Sequence, residues 1–211
     1  MRSFLYFTLV FFASCSRSFD LQEGDFLFQD LDTSPLCDAI ELVTPGYEGA
    51  NLSHIGFVVN EKDKLKVIEA IPPVVKFTSI DSFFSKSDKI IVGRLKPEYK
   101  YSLDDAVNYL KKKINVEYDQ FFLKDNDLYY CSELIYEAFE KHQIFALQPM
   151  TFINPSTGDT LNTWIDYYND IGMKIPEGEP GINPGVMSLS DKINIVHIYE
   201  KPNGMKNNIK K

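Results

Sequence analysis

The chain contains little cysteine and little histidine, with three residues of each among 211. No group of these residues has the spacing of a metal-binding motif, so we expect no metal site and no cofactor. Long hydrophobic runs are also missing. The run from Phe4 to Phe12 covers nine residues, whereas a helix needs about 20 to cross a bilayer. We therefore do not expect a permanent transmembrane helix.

Positive charge is scarce as well, because 22 lysines and arginines face 30 aspartates and glutamates. The resulting net charge of −8 would repel the phosphates of a nucleic acid, and no basic patch interleaved with aromatics offsets it. Nucleic-acid binding is therefore excluded. Apolar residues make up 44% of the chain, enough for the core of one domain, which we place at residues 16–211.

The first fifteen residues have the pattern of a secretory signal peptide. Arg2 precedes the apolar run, and Ala13-Ser14-Cys15 follows it. The last four residues of this segment are similar to the site at which bacterial lipoproteins are cleaved and lipidated on cysteine, although Phe12 stands where leucine is usual. We expect export to the bacterial cell envelope, with Cys15 as the lipidation site and membrane anchor. Plain secretion, to the periplasm or beyond, and a buried first strand are the alternatives.

Cys131 opens the most convincing amphipathic helix of the sequence. Its apolar residues repeat at helical spacing and predict one buried face: Leu134, Ile135, Ala138 and Phe139. Charged residues are predicted to fill the opposite face: Glu133, Glu137, Glu140 and Lys141. The first turn of a helix favours an anion, so a thiolate at Cys131 would be stabilised there and could act as a nucleophile. The alternative is a small buried side chain, because free cysteine is often buried.

A base for this thiol is offered by a predicted hairpin. Residues 53–59 and 65–70 are rich in β-branched and aromatic residues, and a four-residue loop at 60–63 would join them. That loop places His54 directly opposite Glu69, on the same face of the sheet. A carboxylate in this position orients an imidazole, as cysteine hydrolases require. A structural histidine and a solvated glutamate are the alternatives.

The other histidines and Cys37 compete for roles in this chemistry. His142 follows Cys131 by eleven residues, about 16 Å along an unbroken helix, which is too far for proton transfer. His197 lies in a predicted terminal strand and is a rival base. Cys37 is expected to be a buried structural thiol, with a disulfide to Cys131 as the alternative.

The remaining elements predict an α+β domain. Strands are expected at 24–29, 90–95 and 193–199, and helices at about 35–43 and from 102 to 110. Repeated prolines and glycines predict loops and short turns across 143–192. The tail after Glu200 is expected to be frayed. Aromatics at 117–122, including Tyr118, would line a cleft or simply pack.

Several blocks of the sequence together resemble a known family. They are GDFLFQ at 24–29, SHIGFVV at 53–59, VIEA at 67–70, EYDQFF at 117–122 and YYCSELIYEAF at 129–139. This order resembles the circularly permuted papain-like cysteine hydrolases of the NlpC superfamily, in the YiiX/YebB-like branch. That branch is distantly related to lecithin:retinol acyltransferase-type proteins. The similarity covers most of residues 22–195, and Asn115-Val116-Glu117 departs from it where a glycine is more usual.

The resemblance implies a papain-like fold, in which an antiparallel sheet or partial barrel packs against helices that include the cysteine helix. It also implies that Cys131 is the nucleophile, His54 the base and Glu69 the polar third member. Tyr118 falls where relatives place an aromatic residue near the site, and we assign it to substrate binding. No metal or cofactor is implied.

We therefore expect a cysteine hydrolase or acyltransferase that acts on amide or ester bonds. The implied substrates are cell-wall peptides or lipid-linked acyl groups in the cell envelope. A non-catalytic lipoprotein that binds lipid or peptide on the same fold is the second hypothesis. A redox protein that uses Cys37 and Cys131 is the third.

Overall fold

The computed structural model describes residues 19–206, so the predicted signal peptide and Cys15 lie outside the described residues. Within this range the chain forms eight strands: β1 (Asp25–Gln29), β2 (His54–Glu61), β3 (Lys64–Ile71), β4 (Val74–Ser79), β5 (Ile90–Leu95), β6 (Gln148–Pro149), β7 (Pro180–Gly181) and β8 (Ile193–Ile198). It also forms six α-helices: α1 (Pro35–Val43), α2 (Ile80–Phe84), α3 (Leu103–Lys112), α4 (Cys131–Glu140), α5 (Asn162–Asp170) and α6 (Pro184–Ser188). Short 3-10 helices cover Tyr47–Gly49 and Pro97–Ser102.

Six of the strands form one antiparallel sheet in the order β4-β3-β2-β1-β5-β8. The predicted α+β class is confirmed, because this sheet packs against separate helices rather than alternating with them. Strand β4 was not predicted, and it pairs with β3 after a turn at Pro72-Pro73. Strand β4 is the neighbour of β3 on the side away from β2, and it lies beside Glu69.

The hairpin of β2 and β3 has a tighter turn than the sequence predicts. Lys62 and Asp63 both adopt positive φ, 53° and 61°, and Glu61 pairs with Lys64. A two-residue turn of this kind matches the right-handed twist of the flanking strands. The predicted four-residue loop is therefore wrong, and the register is shifted by two residues. Because side chains alternate with a period of two, the shift leaves every side chain on its predicted face.

Helix α4 lies on the face of the sheet that carries the larger core. The ring of Phe139 packs against Phe26 and Phe57, with centroid distances of 5.4 and 5.6 Å. The predicted apolar face of the helix is buried as expected. The prediction that Glu133 lies on the charged outer face is wrong, because this residue is only 2% exposed. Its burial raises the pKa of its carboxyl to about 8.

Two regions are more ordered than the sequence predicts. Residues 143–192 contain helix α5, whose Trp164 and Tyr168 are buried, in addition to α6 and the β6-β7 pair. Past Glu200 the chain still packs, because the N–H of Asn203 donates to Asp30 at 2.7 Å. The predictions of loops alone and of a frayed tail are therefore wrong for these residues. None of the described helices combines the length and the apolarity needed to cross a bilayer.

Candidate active site

His54 and Glu69 meet on neighbouring strands of the sheet. His54 is the first residue of β2 and is 4% exposed, while Glu69 on β3 is fully buried. The Nε2 atom of His54 lies 2.7 Å from Oε2 of Glu69. The predicted pairing of these two side chains is present, but not as direct opposites, since the register of the hairpin is shifted by two residues. They are diagonal neighbours, which long side chains can bridge.

Two further residues hold Glu69, and neither was predicted from the sequence. The hydroxyl of Thr78 on β4 donates to Oε1 of Glu69 at 2.5 Å. The ammonium of Lys86, just after α2, contacts both carboxylate oxygens at 2.7 Å. A fully buried carboxylate requires such partners, so the burial of Glu69 is the signal that points to them.

These contacts set the charge states of the pair. Burial alone would raise the pKa of Glu69, but hydrogen bonds and charge from His54, Lys86 and Thr78 lower it to about 2. Burial alone would lower the pKa of His54, but its interactions with Cys131 and Glu69 raise it to about 9. An ionised carboxylate therefore faces an imidazole that holds a proton readily.

Cys131 is the first residue of α4, where the backbone N–H groups of the first turn point outward without helical partners. Its side chain is 8% exposed, and its sulfur interacts with the His54 ring. Since Nε2 of that ring binds Glu69, Nδ1 is the nitrogen left for the thiol. The helix N-terminus and the β2 strand thus bring the Cys131 sulfur to the same cavity as the His54 ring, which holds the Glu69 carboxylate.

Tyr118 lies beside this group. Its backbone N–H donates to the carbonyl of Pro73 at 2.9 Å, and it bridges to Tyr129 just before the cysteine helix. Burial and the nearby Cys131 raise the pKa of its hydroxyl well above the usual value, so the phenol stays neutral. A neutral phenol can donate a hydrogen bond, and Tyr118 borders the same space as Cys131.

That space is a cavity of about 1110 Å³, and Cys131, His54 and Tyr118 form part of its wall. Much of the remaining wall is apolar and comes from α1, α5 and the segments around them: Leu36, Ile40, Val43, Phe122, Trp164 and Ile182. Ligand sites are commonly of this size and character, with a few polar groups placed on an apolar surface.

The two other histidines lie away from Cys131, and Cys37 differs from its predicted burial. His197 lies on β8, which two strands separate from β2, and its ring stacks on Phe19 at 4.4 Å. His142 binds Asp105 at 2.9 Å. Cys37 is partly exposed rather than buried, and it lines the same cavity as Cys131. Both thiols are free, so the disulfide alternative is not present.

Comparisons with known proteins identify the fold. The profile of the permuted papain-like amidase enzymes, the YaeF/YiiX or C92 family, matches residues 20–197. The chain belongs to this family. The resemblance found in the sequence is thereby confirmed, and membership in the YaeF/YiiX family supports a hydrolase of the papain-like amidase kind.

Two relatives place the chain within the YaeF/YiiX family. The uncharacterized protein YiiX of Escherichia coli K12 is 29% identical over 125 residues, which are 56% of this chain and 57% of that protein. The chain thus aligns with little more than half the length of this curated relative. A crystal structure of the metalloprotein YiiX from Escherichia coli O157:H7 superposes with a TM-score of 0.69 at 24% identity. The superposition covers 86% of this chain and 98% of the YiiX chain, so the two proteins share a fold.

Proposed function

We propose that this protein is a cysteine hydrolase or acyltransferase that cleaves amide or ester bonds through Cys131, His54 and Glu69. The observation that carries the proposal is the His54 ring, which binds Glu69 through Nε2 at 2.7 Å and lines the same cavity as Cys131, whose proximity helps to raise the pKa of the ring. A base held by a carboxylate next to a thiol is the arrangement that activates a cysteine nucleophile. Membership in an amidase family supports the same reaction class.

In this mechanism His54 accepts the proton of Cys131, and the thiolate attacks the substrate carbonyl. Glu69 holds the ring orientation and stabilises the imidazolium. The backbone N–H of Cys131, at the N-terminus of α4, stabilises the oxyanion that forms. His54 then protonates the leaving group, and water or another acceptor releases the acyl group from sulfur.

The first test measures the alkylation rate of Cys131 by iodoacetamide as a function of pH, with peptide mass mapping to separate it from the other cysteines. We expect fast labelling of Cys131 at pH 7 in the wild type, because an adjacent base activates the thiol. His54→Ala should slow the labelling at pH 7 by at least about tenfold. His197→Ala is the matched control and should leave the rate unchanged. Equal rates in wild type and His54→Ala would favour the non-catalytic binding protein.

The cavity favours an acyl chain over a wall peptide as the group that docks beside Cys131. Its wall is mainly apolar along α1 and α5, whereas a peptide would need many polar partners. Val43 lines the cavity and the neighbouring Leu42 is 46% exposed, so they form a matched pair. With acyl p-nitroanilides, we expect Val43→Glu to lower kcat/KM for a twelve-carbon chain and Leu42→Glu to leave it unchanged. Cys131→Ala should abolish turnover.

We also propose that the chain works at the bacterial cell envelope, anchored through Cys15. The support is the sequence of residues 1–15 alone. Labelling of cells with a palmitate analogue should mark the wild type in the membrane fraction and should not mark Cys15→Ser. Unmarked wild-type protein would contradict the anchor and leave the cysteine chemistry unaffected.

A further inference from the structure

Three carboxylates converge at the end of β1, away from the catalytic side chains. Asp30 directly follows β1, Asp32 comes two residues later, and Glu41 lies in the last turns of α1. One oxygen from each lies within 4.8 Å of the other two. Asp30 is fully buried and Glu41 is 4% exposed, while Asp32 is exposed to solvent.

The polar partners of this acidic cluster (Asp30, Asp32 and Glu41) do not satisfy it. Oδ2 of Asp30 accepts the N–H of Asn203 at 2.7 Å, and the ammonium of Lys89 binds Asp32 at 2.5 Å and lies 3.9 Å from Asp30. Oδ1 of Asp30 and Oε1 of Glu41 are buried and have no hydrogen-bond partner. Buried acceptors without donors are rare and costly, so two of them on the side chains of one cluster indicate a missing positive partner.

The charges agree with this reasoning. Three carboxylates against the single ammonium of Lys89 leave two negative charges when all of them are ionised. We propose that Asp30, Asp32 and Glu41 bind a hard divalent cation, with Ca²⁺ as the best fit. All the ligands are oxygens, which hard cations prefer, and Ca²⁺ accepts irregular oxygen geometry more readily than Mg²⁺, which demands a near-ideal octahedron. The exposed Asp32 provides the route of entry.

This cation would strengthen the connection between three parts of the chain. Asp30 and Asp32 belong to the end of β1, Glu41 to α1, and Asn203 to the C-terminal segment. The N–H of Leu31, between the two aspartates, donates to the hydroxyl of Ser53 at 3.0 Å, and Ser53 precedes His54. The cation therefore fixes the cavity wall without taking part in the chemistry, and the inference does not depend on the proposed function. It departs from our sequence-based expectation of no metal site, which considered histidine and cysteine only.

The test uses the full chain, freed of metal by EDTA and dialysis, and measures Ca²⁺ binding by titration calorimetry together with the melting temperature. We expect binding with a rise in melting temperature in the wild type. Glu41→Gln keeps the shape of the side chain and should weaken the Ca²⁺ affinity by at least about tenfold. Lys89→Met removes the competing ammonium and should tighten it. Asp38→Asn, an exposed acid on the same helix, is the control and should bind as the wild type does.

Mg²⁺ and Mn²⁺ are titrated in parallel to establish which hard cation the site prefers. The inference is overturned if none of the three cations binds the wild type, or if Glu41→Gln binds Ca²⁺ as well as Asp38→Asn does. If no cation binds, a proton shared between Asp30 and Glu41 satisfies the two carboxyls. The melting temperature of the wild type then varies with pH near 7 but not with added cations. That agrees with burial, which raises the pKa of Glu41 to about 7.

Discussion

Glu69 is the residue that organises the charges of the candidate active site. Its carboxylate binds His54, Thr78 and Lys86 at once, although it is fully buried. The sequence could predict Glu69 because a hairpin places it on the same face as His54. It could not predict Thr78 or Lys86, because both depend on β4 and α2 folding back over β3, and no local pattern specifies that return.

Removal of the ammonium next to Glu69 should show how much the site depends on it. Lys86→Met leaves a buried carboxylate with two charged hydrogen bonds fewer, so we expect a loss of about 1–3 kcal/mol in the free energy of unfolding. Lys76→Met is the control, because Lys76 is the cross-strand neighbour of Glu69 but makes no hydrogen bond with it. Urea unfolding at pH 7 measures both. Equal losses in the two variants would contradict a specific role for Lys86.

At the scale of secondary structure, the register predicted for the β2-β3 hairpin was wrong, yet the predicted contact between His54 and Glu69 is present. The turn consists of Lys62 and Asp63, without the asparagine or glycine that usually marks such a turn, so the sequence did not reveal its length. The error was an even number of residues, so His54 and Glu69 stayed on one face. An error of one residue would have separated them.

Helix α5 was missed because its surroundings contain many prolines and glycines, which predict loops. Tertiary packing explains its presence. The indole of Trp164 packs edge-on against Phe152 at 4.9 Å and against Phe122 at 5.9 Å, and it forms part of the cavity wall. Aromatic contacts across elements distant in sequence cannot be deduced from a local pattern.

Truncation of this indole should therefore destabilise the fold strongly. Trp164→Ala removes a side chain that is 3% exposed, and we expect a loss of about 3–5 kcal/mol in the free energy of unfolding. Ile165→Ala, on the same helix and 37% exposed, should cost much less. Denaturant unfolding followed by circular dichroism compares the two. Similar losses would mean that α5 packs less tightly than the structure indicates.

For the whole molecule, the α+β class and the family were predictable because they depend on the order of elements. Five of the six strands of the main sheet and the helix that begins with Cys131 follow patterns of adjacent residues. The packing of the C-terminal segment was not predictable, because it depends on contacts between residues distant in sequence, such as those of Asn203 with Asp30 and Asn51. The acidic cluster was missed for a different reason, because our expectation of no metal site considered histidine and cysteine only.

The stability of the whole molecule should depend on pH through the shifted pKa values of Glu69 and His54. The pKa of Glu69 is lowered to about 2, so its contribution to stability is present above the usual value of 4.5 and is lost as the pH falls toward 2. The pKa of His54 is raised to about 9, so its contribution is present below 6.5 and is lost as the pH rises through 9. Together they favour the folded state most between about pH 4.5 and 6.5.

The melting temperature from pH 3 to 10 should therefore fall more steeply at both ends in the wild type than in Glu69→Gln. A change of about 1 kcal/mol corresponds to roughly 2–4 °C in a domain of this size, so the difference is measurable. Glu98→Gln, at an exposed position, is the control and should follow the wild type. Subtracting one profile from the other removes the contributions of other titrating groups such as Glu41 and Glu133, which both proteins share. Parallel profiles for the wild type and Glu69→Gln would show that the buried pair does not govern the charge balance of the site.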